Sequence, residues 1–145
     1  MVFITITVRR RREIFVNNKI ASFTFKACLN LEKIYKCNIE GFVIMPDHIH
    51  FLSNSLFWVN RFKGYLSKNI LRMLEEMEDE NLVYFFLKRA QQNKRWYRMW
   101  EKNSFYTKGN GKKFRDNHIQ YMRNNPVKAG LVKRPEDYPW LYIKR

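Results

Sequence analysis

Asn38-Ile39-Glu40-Gly41-Phe42-Val43-Ile44-Met45-Pro46-Asp47-His48-Ile49-His50-Phe51-Leu52-Ser53 carries the reading of the fold. Ile39, Val43 and Ile44 make Asn38 to Met45 a strand, because β-branched side chains suit a pleated, half-buried surface. Pro46-Asp47 is a turn: proline interrupts a hydrogen-bond ladder and aspartate supplies turn chemistry. His48 to Ser53 is the strand that returns. Upstream, Val2-Phe3-Ile4-Thr5-Ile6-Thr7-Val8 is a first strand that enters a basic turn at Arg9 to Arg12. Between them, Ile20, Phe23, Ala27, Leu31 and Ile34 recur near the helical period and predict one helix over residues 18–36. Downstream, Phe62, Leu66, Ile70 and Leu74 stripe a long helix from about Trp58 to Met77. The stretch 82–106 has no clean period, with a strand expected near Ser104 to Thr107. Gly109-Asn110-Gly111 is a loop. The last helix starts near Phe114 and is expected to stop at Asn125, because Pro126 disfavours helical backbone in the residue before it. Strand–helix–strand–strand–helix–strand is an α+β, ferredoxin-like (RRM-like) pattern: an antiparallel sheet with helices packed on one face.

The chain has 145 residues, which predicts one domain spanning 1–145. Hydrophobic residues at 46% and aromatics at 17% exclude an intrinsically disordered chain. No apolar run approaches the ~20 residues a membrane span needs. The basic cluster follows the first apolar stretch, the reverse of a signal peptide. Two cysteines, Cys28 and Cys37, make neither a disulfide scaffold nor a four-cysteine zinc site, and a cytoplasmic location is expected.

Twenty-eight Lys and Arg against 13 Asp and Glu give a net charge of +15, which points to a polyanion, nucleic acid before membrane surface. The charge is not uniform. Residues 1–72 balance to +8, residues 88–145 to +12, and residues 73–87 carry Glu75, Glu76, Glu78, Asp79 and Glu80 with no base. The acidic run reads as a solvated helix end and loop turned away from any polyanion. In the last segment bases interleave with Trp96, Tyr97, Trp100, Phe105 and Tyr106. Cations with exposed aromatics suit single-stranded nucleic acid, yet at least half of these rings are expected to be buried.

His48 and His50 are two of only three histidines. Residues i and i+2 of a strand share a face, so both imidazoles project together, away from Ile49 and Phe51. Such a pair is either a metal-ligand pair or two hydrogen-bonding histidines. Tyr121 and Asn125 form a second pair, neighbours at i and i+4 on a helix. An amide oxygen can complete a site begun by two imidazoles, and a phenol beside it is a candidate nucleophile. A packed tyrosine and a helix-terminal asparagine are the ordinary alternative. His118 reads as a surface or packing residue.

Phe42-Val43-Ile44-Met45-Pro46-Asp47-His48-Ile49-His50-Phe51-Leu52, taken with Tyr121-Met122-Arg123-Asn124-Asn125-Pro126-Val127-Lys128-Ala129-Gly130-Leu131-Val132 and Pro135-Glu136-Asp137-Tyr138-Pro139-Trp140, resembles the single-tyrosine transposases of the HUH superfamily. The REP-associated tyrosine transposases are the most similar branch, and Phe62-Lys63-Gly64 also resembles the family. The resemblance spans almost the whole chain. Asp47 stands where asparagine is commoner, a turn residue expected to leave the chemistry unaltered.

The resemblance implies a metal-dependent transposase that cuts and rejoins hairpin-bearing single-stranded DNA. Tyr121, on the C-terminal helix, would attack the phosphodiester and leave a 5′-phosphotyrosine link. His48, His50 and Asn125 would hold a divalent cation, Mg²⁺ or Mn²⁺; two imidazoles favour Mn²⁺ at least as much, and Zn²⁺ would also bind. A phenolate, whose conjugate acid has a pKa of ~10, is a competent leaving group, so the link is reversible. Arg9, Arg10, Arg11, Arg12, Lys63 and Arg123 are candidate DNA contacts. The enzyme would act as a monomer or a homodimer, and a dimer can pair the tyrosine of one subunit with the histidines of the other. Two other readings stand beside it: a non-catalytic ferredoxin-like module for single-stranded nucleic acid, and a phosphodiesterase that uses activated water.

Overall fold

A computed structural model describes residues 1–92 and 94–145, the side chains of residues 89–91, 94 and 95 excepted. Strands β1 (Val2–Thr7), β2 (Ile39–Ile44) and β3 (His48–Ser53) arise where the β-branched stretches and the Pro46-Asp47 turn predict them. Helix α1 (Asn18–Leu29) is capped by Asn17, whose Oδ1 accepts from the N–H groups of Lys19 and Ile20 at 3.0 and 3.2 Å. The expected single helix over 18–36 is broken. At Asn30 the side-chain amide donates to the Lys26 carbonyl at 3.0 Å, competing with the helical ladder, and α2 (Leu31–Tyr35) restarts after it.

Helix α3 (Val59–Glu76) follows the predicted stripe. The ambiguous stretch resolves into a short α4 (Glu80–Phe86) and a hairpin of β4 (Leu87–Gln91) and β5 (Lys94–Tyr97), too short to show a period. The acidic run occupies the end of α3, the link and the start of α4, as its composition suggests. Strand β6 (Phe105–Lys108) precedes α5 (Gly111–Lys128), and β7 (Leu141–Ile143) closes the chain.

Helix α5 corrects the expected stop at Asn125, because Pro126 lies inside it. Proline removes one ladder bond, but the following turn closes around it. The Ala129 N–H donates to the Asn125 carbonyl at 3.0 Å. The end is set by Gly130, whose φ of +75° is left-handed. Its N–H donates to Val127 O at 3.0 Å, and the Leu131 N–H donates to Pro126 O at 2.9 Å, the paired bonds of a Schellman terminus.

The five-stranded sheet runs β6-β1-β3-β2-β7, with antiparallel neighbours throughout. Its first four strands have the order a ferredoxin-like chain requires. Val2, Ile4 and Ile6 of β1 with Ile49 and Phe51 of β3 turn to one face, where they pack with Ile20 and Cys28 of α1 and Phe62, Leu66 and Ile70 of α3. The opposite face carries a smaller core of Val43, Met45, Leu52 and Met122, flanked by half-buried Phe3, Phe114 and Ile119. Helices α1 and α3 thus share one face, and α5 takes the other.

The Pro135–Trp140 segment is an anchor for the last strand. Tyr138 Oη donates to the Ile44 carbonyl at 2.5 Å, and the Ile44 N–H donates to Trp140 O at 2.9 Å. These bonds lead the chain back so that β7 extends the sheet beside β2. Of the aromatics in the basic segment only Trp100 is buried; Tyr97 is half-buried, and Trp96, Phe105 and Tyr106 are exposed. The expectation that half would be buried is not met; Phe105 and Tyr106 lie on β6, at the edge of the five-stranded sheet.

Candidate active site

The site is built on the α5 face of the central strands. Cross-strand register pairs Thr5 of β1 with His50 of β3, and Thr7 with His48, so these four side chains share a face. His50 is only 5% exposed. The two imidazoles present Nε2 to Nε2 at 3.1 Å, and each far nitrogen has a partner. His48 Nδ1 donates to Asp47 Oδ1 at 2.6 Å, and Thr5 Oγ1 lies 2.8 Å from His50 Nδ1.

These contacts dictate where the protons sit. Burial works to raise the Asp47 pKa, but hydrogen bonds from His48 and Arg11 override it and hold the carboxyl below its usual range. Asp47 is thus an acceptor, and the His48 tautomer with its Nδ1 proton facing Asp47 carries a lone pair on Nε2. The Nε2–H of His50 is then the donor across the 3.1 Å gap, with the Thr5 hydroxyl donating to His50 Nδ1. A hydroxyl also accepts. His50 can therefore turn its own lone pair outward on Nε2 without losing Thr5. Burial first, with the Arg11 charge adding to it, pushes the His50 pKa down to about 3, so the ring is neutral near pH 7.

Tyr121 comes to this pair from α5. Its ring centroid lies 5.4 Å from that of His50, and it is 47% exposed. Phe3 forms the floor: it stacks on His50 at 5.1 Å, meets Tyr121 edge-on at 5.7 Å and contacts His118 at 4.5 Å. His118 is a packing residue, its Nδ1 donating to Phe114 O at 2.8 Å. Asn125 is half-buried one turn beyond Tyr121 on the same face of α5. Among the described residues, no three His, Cys, Asp or Glu side chains gather in a metal-binding group. A cation here would rest on the two imidazoles and a neutral oxygen. The imidazole geometry fits one: cis ligands ~2.1 Å from an octahedral ion stand about 3 Å apart.

The candidate cations divide. Arg11 joins the site through Asp47 at 3.1 Å. Arg9 donates to the Phe85 carbonyl, and the Arg9 and Arg12 guanidinium groups lie 4.9 and 4.3 Å from the Phe85 ring centroid. Arg10 is exposed, in left-handed backbone at φ 52°. Arg123 pairs with Glu136 at 2.6 Å. Lys63, on the opposite side of the sheet, donates to Ser104 Oγ at 3.2 Å, and burial lowers its pKa. It does not join the Tyr121–His50 cluster. Sequence reasoning missed Thr5 and Phe3, whose roles come from register alone, and it treated Asp47 as a turn residue without effect on the chemistry. Asp47 also accepts from His48 at 2.6 Å.

A family profile described as "Transposase IS200 like" matches residues 1–125. The chain belongs to the IS200-like transposase family. Among solved structures, a REP-associated tyrosine transposase bound to a REP hairpin is similar with a TM-score of 0.62 and 18% identity, over 97% of this chain and 74% of that one. At that identity the likeness is one of fold. No curated protein matches the sequence. The stretch that matches this IS200-like transposase family contains the whole constellation described above, from Phe3 to Asn125. Membership makes the chain an enzyme of DNA cleavage and transfer. Among the described residues, no helix of this transposase is long and apolar enough to cross a membrane.

Proposed function

We propose that this transposase cleaves and rejoins hairpin-bearing single-stranded DNA through Tyr121. The observation that carries the reading is the approach of Tyr121 to the paired imidazoles within one chain, ring centroids 5.4 Å apart at His50. The Tyr121 phenolate attacks phosphorus, the bond to the 3′ oxygen breaks, and the downstream strand is left on the protein as a 5′-phosphotyrosine. A DNA 3′-hydroxyl reverses the step, and Tyr121 is the leaving group. Because the reaction exchanges one phosphodiester for another, no external energy source is needed.

His48 Nε2, His50 Nε2 and the Asn125 amide oxygen would hold a divalent cation, Mg²⁺ or Mn²⁺. When bound, such an ion supplies Lewis-acid stabilisation of charge on a non-bridging phosphate oxygen. Asp47 and Thr5 orient the imidazoles for that task, as outer-shell partners of ligating histidines do. Phe3 fixes the His50 and Tyr121 rings against each other. Arg10, Arg11 and the wider positive field attract the phosphate backbone. The half-exposed phenol can meet a strand without any opening of the fold, and the approach of Tyr121 to His50 within one chain supports catalysis by a monomer.

The test is an adduct assay. A labelled hairpin with a single-stranded flank, incubated with protein and Mn²⁺ or Mg²⁺ and then denatured, is expected to give a covalent species that Tyr121→Phe abolishes. Cleavage that persists in Tyr121→Phe would point to activated water and sink the tyrosine mechanism. Binding without cleavage in either protein would leave a non-catalytic module.

A further inference from the structure

Thr5 of β1 pairs with His50 on one side and with Phe105 of β6 on the other. Opposed residues of antiparallel strands project to the same face, so Phe105, Thr5 and His50 form one cross-strand row. Strands lie ~4.8 Å apart, which sets Phe105 about 10 Å from His50 along that row. Phe105 is 77% exposed, as far out of the core as any large apolar residue among the described residues.

Single exposed apolar residues are common and mean little alone. Phe105 differs in where it stands and in what surrounds it. It ends the row that begins at the reactive centre, on the strand at the edge of the sheet among the described residues. Lys102 and Lys108 flank it in the chain, both exposed, in a segment dense in positive charge. Phe3, which the sheet itself presents on that face, is already occupied by His50, His118 and Tyr121. Tyr106 opposes Ile4 and so belongs to the other face. An open ring beside cations, on the face where a DNA strand would have to lie, suits the flat face of a nucleobase.

We propose that Phe105 is a stacking platform for an unpaired base of the DNA strand, about three nucleotides from a phosphate held beside His50 at 3.4 Å per stacked nucleotide. This deepens the function proposed above and rests on it. Stacking is sequence-tolerant, so Phe105 fixes the position of the strand and leaves the choice of sequence to other contacts.

The experiment is equilibrium binding of two labelled oligonucleotides in EDTA, so that cleavage does not intervene: a hairpin with a single-stranded flank, and the same hairpin blunt. Phe105→Ala and Phe105→Leu are expected to weaken binding of the flanked hairpin by about 5- to 150-fold, the range of one stacked base. Phe105→Trp is expected to restore it, and binding of the blunt hairpin is expected to stay unchanged in all three. Thermal melting of each variant confirms that the exposed substitution leaves the fold intact, and Phe105→Leu keeps an apolar side chain on the strand should alanine perturb it. Wild-type affinity for the flanked hairpin in both Phe105→Ala and Phe105→Leu overturns the platform and leaves the function standing. So does an equal loss on the blunt hairpin, or a wild-type dimer that Phe105→Ala dissociates in sedimentation. If wild-type protein binds neither oligonucleotide, the platform and the proposed function fall together.

Discussion

His48 and His50 hold their Nε2 atoms 3.1 Å apart while Asp47 and Thr5 occupy the far nitrogens at 2.6 and 2.8 Å. The pair is thus oriented before any ligand arrives, and the orientation comes from two residues on different strands and turns. Removing either partner frees an imidazole to rotate or to change tautomer.

Asp47→Ala is therefore expected to lower Mn²⁺ affinity about 10- to 100-fold, the usual cost of losing an outer-shell partner. Asp47→Asn keeps an acceptor oxygen but not the charge, and its affinity is expected to fall between the two. Thr5→Val, which preserves shape and removes the hydroxyl, is expected to weaken binding in the same direction. Titration calorimetry on the folded proteins checks all three. Unchanged affinity in Asp47→Ala would deny it a positioning role.

Neutral, buried His50 makes stability depend on pH in the metal-free protein. Its pKa is about 3 in the fold and near 6.5 when unfolded, so between these values the unfolded chain holds the extra proton. The stabilisation is complete above about pH 6.5 and is lost as the pH falls towards 3. Urea midpoints across that window are expected to fall with acidification in the wild type. His50→Gln is expected to flatten the profile, and an unchanged slope would show that other groups control it.

Helix α5 is tied to the sheet by Arg115, whose Nε donates to Glu40 Oε2 of β2 at 2.7 Å. Burial works to raise the Glu40 pKa, but the Arg115 and Asn38 hydrogen bonds outweigh it and the pKa is lowered. The contribution is present above the unfolded carboxylate value and is lost as the pH falls through the folded one. Glu40→Gln is expected to cost about 1 kcal/mol at neutral pH and less in acid. The loss should appear first as faster amide exchange in α5.

Met122 is fully buried between α5 and the sheet, one residue from Tyr121. Met122→Ala is expected to cost about 2–5 kcal/mol in unfolding free energy. Because the cavity opens beneath the helix that carries the phenol, adduct yield is expected to drop even where the protein stays folded. Thermal melting and the adduct assay together separate the two effects.

Gly41 leaves no room for a side chain. A Cβ there would stand 2.9 Å from the Tyr142 carbonyl oxygen and 2.9 Å from Ile143 Cδ1. Gly41→Ala is expected to push β7 off β2 at a cost of about 1–3 kcal/mol. Amide exchange at Tyr142 and Ile143 reads that loss directly.

Much of this protein was written in local pattern. β-branched content in Val2–Thr7 and the turn before His48–Ser53 marked two central strands, and the side-chain period of two put both histidines on one face. The helical stripe of Phe62, Leu66 and Ile70 determined α3 in the same way. Tyr121 and Asn125 shared a helix face by spacing alone. The tertiary structure decided what spacing cannot reach. It ran α5 through Pro126 to a left-handed Gly130, added β7 as a three-residue edge strand, and broke the first helix at Asn30, each outcome fixed by hydrogen bonds between particular backbone groups. It put α5 on the face opposite α1 and α3, and so brought Tyr121 to His50. It gave Asp47, Thr5, Phe3 and Phe105 their places, for cross-strand register depends on which strands become neighbours. It also gave several candidate DNA contacts intramolecular partners: Arg123 pairs with Glu136, and the Arg12 guanidinium lies over the Phe85 ring. Residue types specify which chemistry is available. Only the order of the strands, set by burying two faces of one sheet, brings those residues within reach of each other.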